Sequence, residues 1–319
     1  MYKLVAGAVL AASLIMPTAS AAQEFPERTV TVVVPFSAGG GNDTLARFLA
    51  EKLSERWSEN VVVENQPGAG GTIGSASVAN AEADGYTVLF SSSSFVTSAA
   101  ARSDLPFDAL ADIQPVGQVG ASSLIVVGSN DLPFDDMSGL AEAAKTRTVF
   151  YANSGGASIS TFAAELFADI AEVELRAVNY SGASEMLLDI TAGRVDVMFG
   201  TPASLIGAVQ DGRVKALAVL GPERLPELPD TPTIAEAGYP GGEFSSWWGV
   251  FAPAGTPETV LSEFNAAINE IMNSPDGVDI LGSVAAVPVS ASVEEFSSLI
   301  VDSLDRLKAL AVDRGLIDG

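Results

Sequence analysis

The sequence contains neither histidine nor cysteine. Without histidine, Ser-His-Asp and Cys-His catalytic sites are impossible, and no metal can be held by imidazole. Without cysteine there is no disulfide, no thiolate nucleophile and no cysteine to carry a lipid anchor. None of the five lysines has a serine three positions before it, so the S-x-x-K motif is absent. We therefore expect no enzymatic reaction, no metal and no cofactor.

Basic residues are also scarce. Sixteen lysines and arginines stand against 40 aspartates and glutamates, which gives a net charge of −24. Such an excess of acidic charge opposes binding to DNA, RNA and anionic lipid. We expect a solvated acidic surface and no nucleic-acid partner.

Nucleotide-binding motifs are absent from the chain. There is no G-x-x-x-x-G-K-[ST] loop. The stretch Gly68–Gly74 is similar to the G-x-G-x-x-G dinucleotide fingerprint, but Ile73 stands where the third glycine is required. The G-x-S-x-G turn of serine hydrolases does not occur either.

The beginning of the chain has the pattern of a secretion signal. Lys3 precedes the apolar run Leu4–Met16, and small residues follow as a cleavage site. The run is shorter than the ~20 apolar residues that span a bilayer. We expect residues 1–22 to be removed by cleavage near Ala21 or Ala22 and the mature protein to be exported.

Apolar, β-branched runs alternate with helix-period segments through most of the chain. This pattern predicts an α/β fold with largely parallel sheets. The mature length suggests two domains, because single cores stop growing near ~250–300 residues. The predicted strand Ser123–Gly128 marks the first crossing between them, and the predicted strand Trp247–Ala252 marks the return. We expect residues 23–122 and 248–319 to form the first domain and 123–247 the second.

Two glycine-rich loops, Phe36–Asp43 and Asn153–Ser158, each lead from a strand into a predicted helix. A helix start presents unpaired N–H groups and roughly half a positive charge, and glycine lets the backbone approach a ligand closely. Neither loop contains lysine or arginine, so an anion there would be held by main-chain N–H groups and neutral side chains. Those side chains are Ser37, Asn42, Asn153, Ser154 and Ser158. The alternative is that the glycines only allow tight connections.

The first of these helices is predicted to begin near Asp43. Asn42 or Asp43 would serve as its N-cap, because asparagine and aspartate are favoured at that position.

Several short motifs match one known family in order and spacing. They are VPFSAGGGND (Val34–Asp43), VENQPGAGG (Val63–Gly71), DGYT (Asp84–Thr87), GRVDVMF (Gly193–Phe199), LPDTPT (Leu228–Thr233), WWG (Trp247–Gly249) and APAGTP (Ala252–Pro257). In these motifs the chain resembles the Bug family, the periplasmic solute-binding components of tripartite tricarboxylate transporters. The resemblance covers nearly the whole mature chain.

The resemblance implies a two-domain periplasmic binding protein fold of type II-like form, with two crossing strands as the hinge. A small mono-, di- or tricarboxylate would sit in the cleft between the domains, held by one loop of each. The implied partners are that ligand and the membrane subunits of a tripartite tricarboxylate-type transporter. We expect a periplasmic monomer without a reaction of its own.

The ligand-binding residues that the resemblance implies fall into three groups. They are Phe36, Ser37, Ala38, Gly39, Gly40, Asn42 and Asp43 in the first loop; Asn153, Ser154, Gly155, Gly156, Ala157 and Ser158 in the second loop; and Ser91, Ser92, Ser93, Tyr180, Asp196 and Thr201 at other strand ends. The chain departs from the family at Thr161, where histidine is frequent, at Asn179 and Glu185, where proline is frequent, and at Ser181, where lysine is frequent. These departures alter the polarity beside the cleft.

Each side-chain assignment has a structural alternative. Asp43 can be a helix cap, Asp196 a structural hydrogen-bonding acid, and Tyr180 a packing residue, while Ser91–Ser94 can be an ordinary loop. Two functional alternatives also stand. One is a ligand-sensing periplasmic protein that feeds a signalling partner, and the other is an exported hydrolase or lyase that uses paired carboxylates.

Overall fold

The structure, a computed structural model, describes residues 25–317, so the predicted secretion signal lies outside it. Ten strands and ten helices follow one another in the described chain. The strands are β1 (Val30–Val34), β2 (Val61–Asn65), β3 (Thr87–Ser92), β4 (Ile113–Ser123), β5 (Ile125–Ser129), β6 (Phe150–Asn153), β7 (Arg176–Asn179), β8 (Val197–Gly200), β9 (Val214–Val219) and β10 (Ser245–Pro253). The helices are α1 (Gly41–Trp57), α2 (Thr72–Ala79), α3 (Ser94–Ala101), α4 (Met137–Thr146), α5 (Ile159–Ile170), α6 (Ala183–Thr191), α7 (Pro202–Gln210), α8 (Glu258–Met272), α9 (Pro275–Gly282) and α10 (Val293–Asp313).

The strands form two five-stranded sheets with matching topology. The first has the order β2-β1-β3-β10-β4 and the second the order β7-β6-β8-β5-β9. In both sheets the first three strands are parallel, and the fourth runs antiparallel to its neighbours. Strands β1 and β6 therefore occupy equivalent places. The predicted α/β class is confirmed.

The helices cover both faces of the sheets, which explains the apolar strands. All five residues of β1 are valine or threonine, and four of them are buried. On α1, Leu45, Leu49 and Leu53 recur every four residues and are buried against the sheet, as their spacing predicts. No helix within residues 25–317 is both long and apolar enough to cross a membrane.

The two sheets present their carboxyl-end edges to each other. Strand β4 ends at Ser123 on the edge where β1 and β3 end, and only Leu124 separates it from β5. The first residue of β5, Ile125, pairs with Gly200 at the carboxyl end of β8. Because the chain passes between these two edges through a single residue, the loops that follow β1 and β6 lie on facing sides.

The return to the first sheet begins earlier than the sequence predicts. Strand β10 starts at Ser245, which pairs with Ser123, whereas the predicted strand began at Trp247. Phe244 lies beside Leu124, whose N–H donates to its carbonyl at 3.1 Å. Residues 245–247 thus belong to the first sheet, and the division into domains at 122/123 and 247/248 stays a prediction.

One hydrophobic cluster continues from one sheet to the other. It contains Phe95 and Phe251 beside the first sheet, Leu124 and Trp247 at the crossing, and Phe199 in the second. Helix α10 packs over this cluster, where the ring of Trp247 meets that of Phe296 edge-on at 5.6 Å. The crossing is therefore embedded in apolar packing rather than exposed as a free linker.

Candidate functional site

The first glycine-rich loop joins β1 to α1. Helix α1 begins at Gly41, and Gly40 is its N-cap, with an extended backbone (φ −87°, ψ 174°) and no side-chain capping bond. The prediction that Asn42 or Asp43 caps the helix is wrong, because both lie inside its first turn. The N–H groups of Gly40, Gly41 and Asn42 find no acceptor within residues 25–317. This loop therefore offers several free donors at an exposed helix start.

Asp43 holds the first loop in shape from inside the helix. Its side chain is buried and accepts hydrogen bonds from the Gly39 N–H at 2.8 Å, from Arg47 Nε at 3.0 Å and from Asn65 Nδ2 at 2.9 Å. The Arg47 bond, with the Gly39 and Asn65 bonds, lowers the pKa of Asp43 to about 2. Asp43 thus orients the loop, and its oxygens are already occupied by protein donors.

A second polar residue supports the same loop. Asn65, at the carboxyl end of β2, donates to the carbonyl oxygen of Phe36 at 3.1 Å as well as to Asp43. The segment between β2 and α2 also packs closely against the first loop. A Cβ on Gly71 would lie 3.3 Å from the Phe36 ring. The sequence analysis did not single out Asn65. Its place at the end of the strand beside β1 was the signal that could have found it.

The second loop joins β6 to α5 at the equivalent place in the other sheet. Asn153 is buried at the end of β6, and its Oδ1 accepts from the Gly155 N–H at 2.6 Å. Ser158 is the N-cap of α5, and its Oγ accepts from the Thr161 N–H at 3.3 Å. Thr161 Oγ1 donates to the Gly155 carbonyl at 2.8 Å. The Asn153 side chain and the Gly155 N–H are thereby used within the loop.

Free donors nevertheless remain in the second loop. In the described part of the chain, the N–H groups of Gly156, Ala157 and Ile159 have no hydrogen-bond acceptor. Ser154 and Gly156 are exposed. Each of the two facing loops therefore has an uncovered helix start, which is a place where anions bind to main-chain N–H groups.

The serine run lies next to the first loop at the same sheet edge. Strand β3 ends at Ser92, and α3 begins at Ser94 with Ser93 as its N-cap. The Ser93 N–H donates to the Trp247 carbonyl at 2.9 Å, and the hydroxyls of Ser92 and Ser94 lie 2.8 Å apart. The Ser93 N–H thus ties the end of β3 to the crossing strand β10, whereas the contact between Ser92 and Ser94 stays within the serine run.

Ser91 borders a small recess at the start of α2. Thr72 lines the same recess, and its buried hydroxyl oxygen has no hydrogen-bond partner within residues 25–317. A buried hydroxyl without a partner is costly, so Thr72 Oγ1 is a free polar group beside the first loop.

Tyr180 and Thr201 lie at carboxyl ends of the second sheet, as their predicted roles require. Tyr180 follows β7, and its N–H donates to the Asn153 carbonyl at 2.9 Å. Its hydroxyl donates to Asp189 at 2.8 Å, and burial together with Asp189 raises the pKa of Tyr180 to about 12. Thr201 follows β8 and shares a hydrogen bond of 2.6 Å with Ser204. Both side chains already have protein partners.

Asp196 does not belong to this site. It precedes β8 and therefore lies at the amino end of that strand, at the edge opposite the loops. Its side chain accepts from the Phe150 N–H at 2.7 Å and pairs with Arg147 at 2.8 Å. The prediction that Asp196 contacts ligand is corrected, and its structural alternative is the one that the contacts favour.

The free donors at the two loops are neutral groups. Neither loop carries a lysine or arginine, and the nearby Arg47 is engaged with Asp43 and Asn65. Within residues 25–317 no group of three or more acidic side chains is placed to hold a metal ion. The arrangement can therefore bind a carboxylate between two sets of oriented N–H dipoles.

The model of the family described as "Tripartite tricarboxylate transporter family receptor" matches residues 45–316 of the chain. Similar solved structures agree with it. The Rhodopseudomonas palustris protein Rpa4515, solved with adipate, is 32% identical with a TM-score of 0.76, covering 92% of this chain and 99% of that one. The periplasmic binding protein BugD is 31% identical with a TM-score of 0.74, covering 92% and 100%.

A third solved structure adds a second ligand. MatC from Rhodopseudomonas palustris, solved with bound malate, is 30% identical with a TM-score of 0.74 and covers 90% of this chain and 99% of that one. The two named ligands, adipate and malate, are both small dicarboxylates. In all three comparisons the similarity covers at least 90% of this chain and at least 99% of the other.

Proposed function

Because the chain belongs to the Bug family of tripartite tricarboxylate transporter receptors, we propose that it captures a small carboxylate in the periplasm for such a transporter. The observation that carries the proposal is the pair of facing loops. They occupy equivalent places in two sheets with matching topology, and each has helix-start N–H groups that find no acceptor among residues 25–317. The ligand would be a mono-, di- or tricarboxylate.

The ligand carboxylate would be shared by the two loops. In the first loop the donors are the N–H groups of Gly40, Gly41 and Asn42, and in the second those of Gly156, Ala157 and Ile159. A carboxylate that accepts such bonds gains more than a neutral acceptor does, because charge-assisted hydrogen bonds are roughly twice as strong. Excluding water from the cleft strengthens them further, since the local dielectric falls.

The remaining predicted residues would line or support this cleft. Phe36, Ser37, Ala38, Ser154 and Ser158 belong to the loops themselves. The serine run, Tyr180 and Thr201 lie at neighbouring strand ends. Their hydroxyls would stabilise the segments beside the two loops through hydrogen bonds to other protein groups.

Dicarboxylates are the first ligands to consider, because two of the similar solved structures hold adipate and malate. A second carboxylate needs donors away from the two helix starts. Departures from the family at Thr161, Asn179 and Ser181 change the side chains on the second-sheet side, so selectivity for the far end of the ligand would differ from that of relatives.

The proposed cycle involves binding and release without a chemical step. The ligand-loaded protein, a monomer, would dock on the membrane subunits of the transporter and release its cargo there. Receptor function fits the absence of histidine and cysteine from the sequence, which excludes Ser-His-Asp and Cys-His catalytic sites.

The experiment is a thermal-shift screen followed by calorimetry on the mature protein. Adipate, malate, citrate and aromatic monocarboxylates are compared with adipamide and hexane-1,6-diol, which lack the charge. A carboxylate at 100 times its Kd adds ~2.7 kcal/mol to the unfolding free energy and raises Tm by a few degrees. Equal shifts with the uncharged analogues, or no shift with any acid, would refute the proposal.

A further inference from the structure

Arg306 is a basic side chain that has no ionic partner in the described part of an acidic protein. Acidic residues outnumber basic ones by 40 to 16, and most described lysines and arginines form salt bridges. Arg306 forms none within residues 25–317, and its only hydrogen bond goes to the Gly241 carbonyl oxygen. The guanidinium therefore keeps donors free on the outer side of α10.

A cavity of about 200 Å³ lies beside this arginine. Its walls come from α3, from α10 and from the segment that leads into β10, so we call it the crossing cavity. The apolar part of the wall is formed by Val96, Phe244, Trp247, Leu299 and Leu307. An apolar cavity of ~150 Å³ accommodates benzene, so this one has room for a branched or aromatic side chain.

A carboxylate stands on the same cavity. Glu243 lines it, is half-buried, and forms neither a salt bridge nor a hydrogen bond in the described chain. Arg306 and Glu243 do not pair with each other, although both border the same space. The crossing cavity thus combines an apolar chamber with one cation and one anion, neither of which has an ionic partner among residues 25–317.

These charges select one ligand chemistry. A simple carboxylate would be attracted by Arg306 and repelled by Glu243. An amine would be attracted by Glu243 and repelled by Arg306. A zwitterion satisfies both groups, because its two charges can be placed against opposite partners. We propose that the crossing cavity binds an α-amino acid with an apolar side chain, its carboxylate on Arg306, its ammonium on Glu243 and its side chain between Phe244 and Leu299.

This site is separate from the carboxylate cleft. The lining of the crossing cavity includes no residue of the two glycine-rich loops and only Ser93 from the serine run. The proposal therefore does not depend on the ligand of the cleft, and the two sites can be tested independently.

The test is calorimetry of the mature protein with L-leucine and L-phenylalanine. Two analogues of leucine serve as probes of charge: 4-methylpentanoate lacks the ammonium, and 3-methylbutylamine lacks the carboxylate. We expect binding of both amino acids and at least tenfold weaker binding of either analogue. R306Q and E243Q should each weaken amino-acid binding at least tenfold, while K308Q should leave it unchanged. Lys308 lies on the same helix and forms no salt bridge within residues 25–317, so it controls for a general loss of positive charge.

Three outcomes would overturn the proposal. One is the absence of amino-acid binding. Another is equal binding of 4-methylpentanoate, which would make the site one for simple carboxylates. The third is amino-acid binding that survives R306Q and E243Q but is lost in Gly40→Pro, which would place the amino acid in the cleft. Circular dichroism of each variant confirms that it folds.

Discussion

Arg314 Nε donates a 2.8 Å hydrogen bond to Glu165 Oε2 and thereby joins the end of α10 to α5. Helix α10 begins over the first sheet, whereas α5 follows the second glycine-rich loop. The buried Tyr151 hydroxyl donates to the other Glu165 oxygen at 2.9 Å, and Arg314 also reaches the Val173 carbonyl at 3.3 Å. A buried carboxylate between Tyr151 and Arg314 thus links the base of the second loop to the carboxyl-terminal helix.

Removing Arg314 should destabilise the protein strongly. R314M leaves Glu165, which is 8% exposed, as a buried carboxylate without its cation. Breaking a buried pair from one side costs about 3–5 kcal/mol, and we expect about 3 kcal/mol because Arg314 retains some exposure. Urea unfolding measures the change. Adding E165Q to R314M should restore part of the loss, since no charge is then left unpaired.

The control for this prediction is R213M, which breaks the exposed Arg213–Asp211 pair. Exposed ion pairs contribute ~0–1 kcal/mol, so its unfolding free energy should stay near that of the wild type. Equal losses in R314M and R213M would show that the buried link is not what stabilises this junction.

Asp43 should make stability depend on pH in the acidic range. Its folded-state pKa of about 2 lies below the ordinary value of 3.8, so its contribution is present above pH 4 and is lost as pH falls towards 2. The size is about 1–2 kcal/mol, reduced because the partner Arg47 is half-exposed. The difference in unfolding free energy between wild type and D43N should therefore be largest at pH 5–7 and shrink towards pH 2. A difference that stays constant over that range contradicts this account.

The contribution of a single N–H group in the first loop to ligand affinity should be measurable. Gly40 has φ −87°, which proline nearly adopts, and a Cβ there would meet nothing nearer than the Ser37 carbonyl at 3.9 Å. Gly40→Pro removes the N–H, while Gly40→Ala keeps it. Losing one hydrogen bond to a charged ligand costs about 1.5–3 kcal/mol, so Kd for the carboxylate should rise about 10- to 150-fold in G40P and little in G40A.

Calorimetry with the carboxylate found in the screen measures both variants. Lys52→Ala is a further control, because Lys52 pairs with Asp276 on the outer side of α1 and touches neither loop. If G40A and K52A lose as much affinity as G40P, then main-chain N–H groups are not what holds the ligand.

Much of the fold could be predicted because local patterns and topology agree. Alternating β-branched strands and helix-period segments require buried strands with connecting helices, and that is what the paired sheets contain. The two loops could be located because each lies between a strand such as β1 and a helix with a clear apolar face. The exact return point could not, because Ser245 and Ser246 resemble loop residues in the sequence, and only their pairing with β4 shows that they belong to a strand.

Errors at the site came from strand direction and from hydrogen bonds between distant residues. Asp196 sits in a family motif, yet it precedes strand β8 and so lies at the edge of the second sheet opposite the loops. The N–H of Gly155 appeared free but donates to Asn153, and its φ of +118° makes proline an unsuitable probe there. Such hydrogen bonds depend on where side chains lie in the folded protein, which the order of residues in the sequence does not reveal.

The Thr161 hydroxyl should hold the second loop in its binding shape. The Thr161 N–H itself is not a ligand donor, because it donates to Ser158 Oγ. Thr161 is 2% exposed, its Oγ1 donates to the Gly155 carbonyl at 2.8 Å, and it lies 3.0 Å from Ser158 Oγ. T161V keeps the shape but removes the hydroxyl, which leaves both groups without that partner. We expect a loss of about 1 kcal/mol in unfolding free energy and a several-fold increase in Kd, because the loop must be ordered on binding. T161S retains the hydroxyl, so its unfolding free energy and its Kd should stay near those of the wild type. Wild-type affinity in T161V, measured by calorimetry alongside urea unfolding, would mean that the loop holds its shape without this hydrogen bond.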